Sequence, residues 1–173
     1  NGGLASIARR TGILREPGHG LIAVCTRRAW IKVSVGGGVI SEDEGQSWSE
    51  PINITSQVKN PAWKLMFNGP GKGITMRDGT LVFAGQYKDE NDMPHSTIIY
   101  SQDQGKTWQI GSGAKSNTTE AQVVELNNGD LMLNMRDNRG EYRSVATTSN
   151  LGKTWTEHPS SGSALIDPVC MGS

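Results

Sequence analysis

The sequence has no excess charge: 17 basic residues balance 17 acidic ones. Without a net positive field, bulk electrostatics cannot hold a nucleic acid or an anionic membrane, so neither is expected as a partner. No apolar run approaches the ~18 residues of a membrane-crossing helix, which argues against membrane insertion. Only two cysteines occur, Cys25 and Cys170, far apart in the chain. They have neither metal-ligand spacing nor the spacing of a redox pair, and their apolar neighbours predict buried thiols. The three histidines, His19, His95 and His158, are scattered, with no nucleophile or second ligand at useful spacing. Helical periodicity is scarce; Leu4 to Arg15 offers a turn or two at most. No signal peptide is visible.

What is abundant is glycine, 22 residues, alongside five tryptophans and short alternating runs of Val, Ile and Leu. That mixture fits a turn-rich β fold better than disorder. One phrase recurs three times: Ser41-Glu42-Asp43-Glu44-Gly45-Gln46-Ser47-Trp48, then Ser101-Gln102-Asp103-Gln104-Gly105-Lys106-Thr107-Trp108, then Thr148-Ser149-Asn150-Leu151-Gly152-Lys153-Thr154-Trp155. The third copy has Thr in place of the first Ser and Asn in place of Asp. Asp or Asn can fold back onto following backbone N–H groups, glycine can take a positive φ, and the Trp offers a large apolar face. Strand-like runs flank every copy, so each phrase joins two antiparallel strands.

A second hairpin precedes the later two copies. Residues 73–77 and 80–87 flank Asp78-Gly79, and 120–126 and 131–136 flank the Asn128-Gly129 corner. Asp-Gly and Asn-Gly are strong hairpin signals. The repeating unit is therefore four antiparallel strands, the blade of a β-propeller. One blade is expected at 70–112 and the next at 117–160. An earlier blade ends before 56, poorly legible over 1–35, where Pro17 to Leu21 faintly echoes Pro70 to Ile74. Residues 165–173 start a further blade. About three blades do not close a ring of four to eight. With Asn1 at the start in place of Met, the expectation is a piece of a longer protein or a ring completed by partners, with exposed strand edges that favour association.

Glu120 and Arg136 are equidistant from Asn128, so folding that hairpin sets them opposite each other or one step apart, at its open end. In a propeller that end lines the central channel. An ordinary cross-strand ion pair, worth roughly 0.2–1 kcal/mol, is the alternative reading of the same spacing. Gln86 holds the place in its own hairpin that Arg136 holds in the next, and so is a candidate to face the channel. Asp137 and Arg139 read as loop structure.

The three Asp boxes, the run Asn68-Gly69-Pro70-Gly71-Lys72-Gly73-Ile74, the stretch Thr118-Thr119-Glu120-Ala121-Gln122-Val123-Val124-Glu125-Leu126 with Leu133-Asn134-Met135-Arg136-Asp137-Asn138-Arg139, and Asp167-Pro168-Val169-Cys170-Met171 together resemble the bacterial exo-α-sialidases (neuraminidases) of the Asp-box superfamily, Bacteroides-type enzymes in particular. The resemblance implies a six-bladed propeller that removes terminal sialic acid from glycans, glycoproteins and gangliosides with retention, through a tyrosine nucleophile. It makes Glu120 the base that activates the phenol and Arg136 one of three arginines gripping the substrate carboxylate, with Gln86 a candidate further substrate contact. It implies no cofactor and no catalytic metal, and an extracellular or periplasmic location. The family's Arg-Ile-Pro motif is missing, since Leu14-Arg15-Glu16-Pro17 does not match it. The acid/base aspartate has no counterpart here, and the third arginine and the tyrosine are expected beyond Ser173. The isolated chain is therefore expected to be inactive. A non-catalytic sialoglycan-binding Asp-box propeller and a trans-sialidase-type transferase are the alternative readings.

Overall fold

The structure, a computed structural model, describes residues 22–25, 30–34, 37–41, 43, 46–69, 72–167 and 169–170. The Leu4–Arg15 and Pro17–Leu21 expectations lie outside these, and so does the Cys25 side chain. The described part is built from three antiparallel sheets. The first comprises β1 (Ile22–Cys25), β2 (Trp30–Ser34), β3 (Gly37–Ser41) and β4 (Ile52–Asn53), paired in that order. A one-turn helix, α1 (Thr55–Val58), leads out of it.

The second sheet is a four-row blade with two interrupted edges. β5 (Leu65–Asn68) and β6 (Ile74–Thr75) share one edge along β7 (Leu81–Lys88). On the other side of β7 lies β8 (Pro94–Ser101), flanked by β9 (Gln109–Ile110) and β10 (Lys115–Ser116). The sheet thus begins at Leu65, and the Asn68–Ile74 run starts at the last residue of β5 and ends at the first of β6. The third sheet is a plain meander of β11 (Thr118–Glu125), β12 (Leu131–Asp137), β13 (Ser144–Thr148) and β14 (Thr156–Glu157).

Burial explains the strand sequences. β7 is apolar on both faces because both are covered: Leu81 and Phe83 pack with Ile54, Val58, Met66, Ile99 and Trp108, while Val82 and Ala84 pack with Ala121, Val123, Leu133 and Met135 of the third sheet. β12 alternates instead. Leu131, Leu133 and Met135 are buried toward the second sheet, and Met132, Asn134 and Arg136 are half-buried on the far face. The all-β, propeller-type arrangement follows from this side-by-side stacking of repeated sheets.

Both upstream hairpins turn through three-residue loops. Met76 N–H donates to Thr80 O at 2.8 Å, and Leu126 N–H to Asp130 O at 2.8 Å. Gly79 and Gly129 occupy the left-handed position at φ +91° and +90°. Each repeated phrase closes as its composition predicts. Asp43, Asp103 and Asn150 accept the N–H four residues on, at 2.9, 2.8 and 3.0 Å. Gly105 and Gly152 take φ +89° and +76°.

One expectation is overturned here. Cys170 is exposed, not buried. Polar main-chain contacts hold its segment: Arg143 Nη1 donates to Cys170 O at 3.0 Å, and Cys170 N–H donates to Asp167 Oδ1 at 2.9 Å. The apolar neighbourhood of the thiol is therefore not turned into a core.

Candidate functional site

The Asn128-Gly129 corner sets the register that brings the acid and the guanidinium together. Glu125 pairs with Leu131 and Ala121 with Met135, which leaves Glu120 facing Arg136. At the open end the register shifts, because Thr118 pairs with Asp137. Two residues, Thr119 and Glu120, thus stand against the single Arg136, which is a β-bulge. Arg136 Nη1 donates to Glu120 Oε2 at 2.7 Å. Both side chains stay partly open, 31% exposed for Arg136 and 28% for Glu120.

The rest of the guanidinium is uncommitted. Arg136 Nε is buried with no acceptor. Gln86, six residues past Thr80 as Arg136 is six past Asp130, occupies the equivalent place in the second sheet, paired with Phe67 and Ser96. It continues the Val82–Ala84 face and so points toward the third sheet, 6% exposed, with Oε1 buried and unpartnered. Gln86 makes no hydrogen bond to Glu120 or Arg136; the structure joins those two and leaves Gln86 on the neighbouring blade.

The strand carrying Arg136 is pinned on both sides. Asp137 accepts from Ser144 Oγ at 2.6 Å, from Arg139 N–H at 3.0 Å, and from Arg139 Nη1 at 2.9 Å. Burial pushes the Asp137 carboxyl up, but these hydrogen bonds and the Arg139 charge outweigh it and hold it below the usual range. On the other side lies Arg143, 6% exposed. Its Nε donates to Asn134 Oδ1 at 2.5 Å and its Nη1 to Asp167 Oδ2 at 2.6 Å. Arg143 carries no motif, so pattern reading passes over it; its burial depends on a partner 24 positions away. Among the described residues, no group of three or more His, Cys, Asp or Glu side chains could hold a metal ion, and no helix is long and apolar enough to cross a membrane.

An ion pair left partly open to solvent, with Arg136 Nε lacking an acceptor, is suited to a polar, anionic ligand. The BNR repeat-like domain family matches residues 19–169. A sialidase of Bacteroides fragilis is 59% identical over 133 residues, covering 77% of this chain and 24% of that protein. A Clostridium perfringens sialidase is 36% identical over 169 residues, covering 90% of this chain and 43% of its own length. Among solved structures, a Hadza microbial sialidase superposes with a TM-score of 0.76 at 57% identity, over 83% of this chain and 27% of that one. This chain therefore spans less than half the length of each of these relatives. With the family's domain matched over most of the sequence, the chain belongs to the BNR repeat-like family, among the bacterial sialidases.

Proposed function

We propose that this chain supplies part of the active site of a retaining exo-α-sialidase acting on terminal sialic acid of glycans, glycoproteins and gangliosides. The observation that carries the reading is the Glu120–Arg136 contact at the bulge, with the remaining edge of the guanidinium free. Arg136 has two tasks in this scheme. Nη1 orients Glu120, and the Nε–Nη2 edge takes the substrate carboxylate side-on, a fork geometry that lysine cannot reproduce. Gln86 Oε1, an acceptor with no donor, takes a hydroxyl or N–H of the same sugar.

The anomeric carbon of sialic acid already bears a carboxylate, so an anionic nucleophile would be repelled. A phenol avoids this, but at a pKa of about 10 it needs a base. Glu120 accepts the phenolic proton as the phenol oxygen bonds to the anomeric carbon, and the glycosidic oxygen departs with a proton from a separate acid. The tyrosine, that acid and the further arginines come from the rest of a six-bladed propeller. The same reading places the protein outside the cytoplasm, in the periplasm or beyond the cell.

The test uses a chimaera in which this chain replaces its matching stretch of the Bacteroides fragilis sialidase, assayed on a fluorogenic sialoside. Glu120→Ala lowers kcat by about 10²–10⁴-fold with little change in KM. Arg136→Ala lowers kcat/KM further by raising KM as well. Small and equal effects from both would reduce the pair to an ordinary cross-strand ion pair.

A further inference from the structure

We propose that Ser96 and Thr118, wholly buried at the seam between the second and third sheets, are positioning residues that set Glu120 against Arg136. The proposal rests on the reading of Glu120 as the base. Two registers meet in β11. Counting from the Asn128-Gly129 corner, Glu120 falls opposite Arg136. Counting from the crossover, where Thr118 pairs with Asp137, an unbroken ladder would carry Glu120 opposite Met135. Met135 is 0% exposed and faces the second sheet, so that register would drive the carboxylate into an apolar core. The bulge absorbs the conflict, and it does so only while it stays at Thr119–Glu120.

What holds it there is a set of hydrogen bonds from outside the strand. Thr118 Oγ1 accepts Ser96 N–H at 3.1 Å and donates to Lys115 O at 2.7 Å. Ser96 Oγ donates to Thr119 O. Both Ser96 and Thr118 are 0% exposed. Thr118 and Ala121 both turn toward the second sheet, Thr118 reaching Ser96 and Met135 and Ala121 packing on Val82 and Ala84. Three residues apart on a regular strand they would point to opposite faces, so this arrangement needs the bulge. Asn117, at φ +57°, makes the preceding corner and is tied to Asn138 by main-chain and side-chain hydrogen bonds of 3.1 and 3.4 Å. Ser96 is also the register partner of Gln86. One serine thus links the backbone beneath Gln86 to the backbone beneath Glu120, across two blades.

The experiment uses the chimaera described above and compares Ser96→Ala, Thr118→Val, Thr118→Ser and Glu120→Gln, all assayed well below their melting temperatures. Ser96→Ala and Thr118→Val are expected to lower kcat about ten- to a hundred-fold, because small misplacements of a catalytic group are costly, while KM stays within about three-fold. Thr118→Ser, which keeps the hydroxyl, restores most of the loss. If Thr118→Val does not fold, Ser96→Ala and Thr118→Ser decide the matter. Unchanged kcat in Ser96→Ala with an inactive Glu120→Gln overturns the positioning role alone. An active Glu120→Gln overturns the assignment of the base itself. A fall in melting temperature with kcat intact would mark the two hydroxyls as structural and also overturns the proposal.

Discussion

A single guanidinium can serve stability or chemistry, and surroundings decide which. Arg136 keeps Nε free of any acceptor with its side chain 31% exposed, while Arg143 is buried and engages Asp167, Asn134 and Cys170. An unpaired buried N–H costs about 1–3 kcal/mol, a cost that a ligand carboxylate would remove for Arg136. For Arg143 nothing remains to be bound. Breaking a buried ion pair strands a charge, so Arg143→Ala or Asp167→Ala is expected to cost about 3–5 kcal/mol in urea denaturation of this chain. A cost under ~1 kcal/mol would place the pair in the screened, surface class.

The Asp-box turn behaves as a unit with a pH window. Asp43 accepts from Ser47 Oγ at 2.6 Å, Ser47 N–H at 2.9 Å and Ser41 Oγ at 2.8 Å. The Ser47 bonds lead in holding its carboxyl at about 2, against an ordinary 3.8. At Asp103 burial pushes the carboxyl up, but hydrogen bonds from Thr107 and Ser101 outweigh it, and the result is again low. A depressed folded pKa stabilises the turn above the unfolded value, and that stabilisation is lost as pH falls from about 3.8 through about 2. The third box has Asn150, whose Nδ2 donates to Thr154 Oγ1 at 2.8 Å, and it has no carboxylate to protonate. NMR titration is expected to show the first two turns loosening in acid while the third does not respond. Loosening of all three together would mean the carboxylates are not the cause. At the hairpin corner, Gly129→Ala forces an L side chain to φ +90° and is expected to cost about 1–2 kcal/mol by urea melt, although a Cβ there would meet nothing within 4 Å. An effect near zero would show that the loop relaxes into another turn.

At the scale of the whole molecule the sheets are unequal. The second has both faces covered, whereas the third has its far face half-open, with Val124 48% exposed. Glu120 and Arg136 sit on that open side. These 173 residues alone are therefore expected to give no measurable turnover of a fluorogenic sialoside. They are also expected to self-associate through uncovered sheet surface in analytical ultracentrifugation. Turnover close to that of an intact sialidase would show that the chain needs no further arginine or tyrosine.

Turns, strand pairing and the repeat were legible in the residues themselves. The bonds that make an Asp box or an Asn-Gly corner lie within about four positions, so a short phrase such as Ser101 to Trp108 determines its own shape. The equidistance of Glu120 and Arg136 from Asn128 was legible for the same reason. The exposure of Cys170, the burial of Arg143, the burial of Gln86 with its Oε1 unpartnered and the bulge under Glu120 belong to the tertiary structure alone. Each depends on groups brought together from distant positions, as when Ser96 meets Thr118, and no local periodicity records which face of a sheet another sheet will cover.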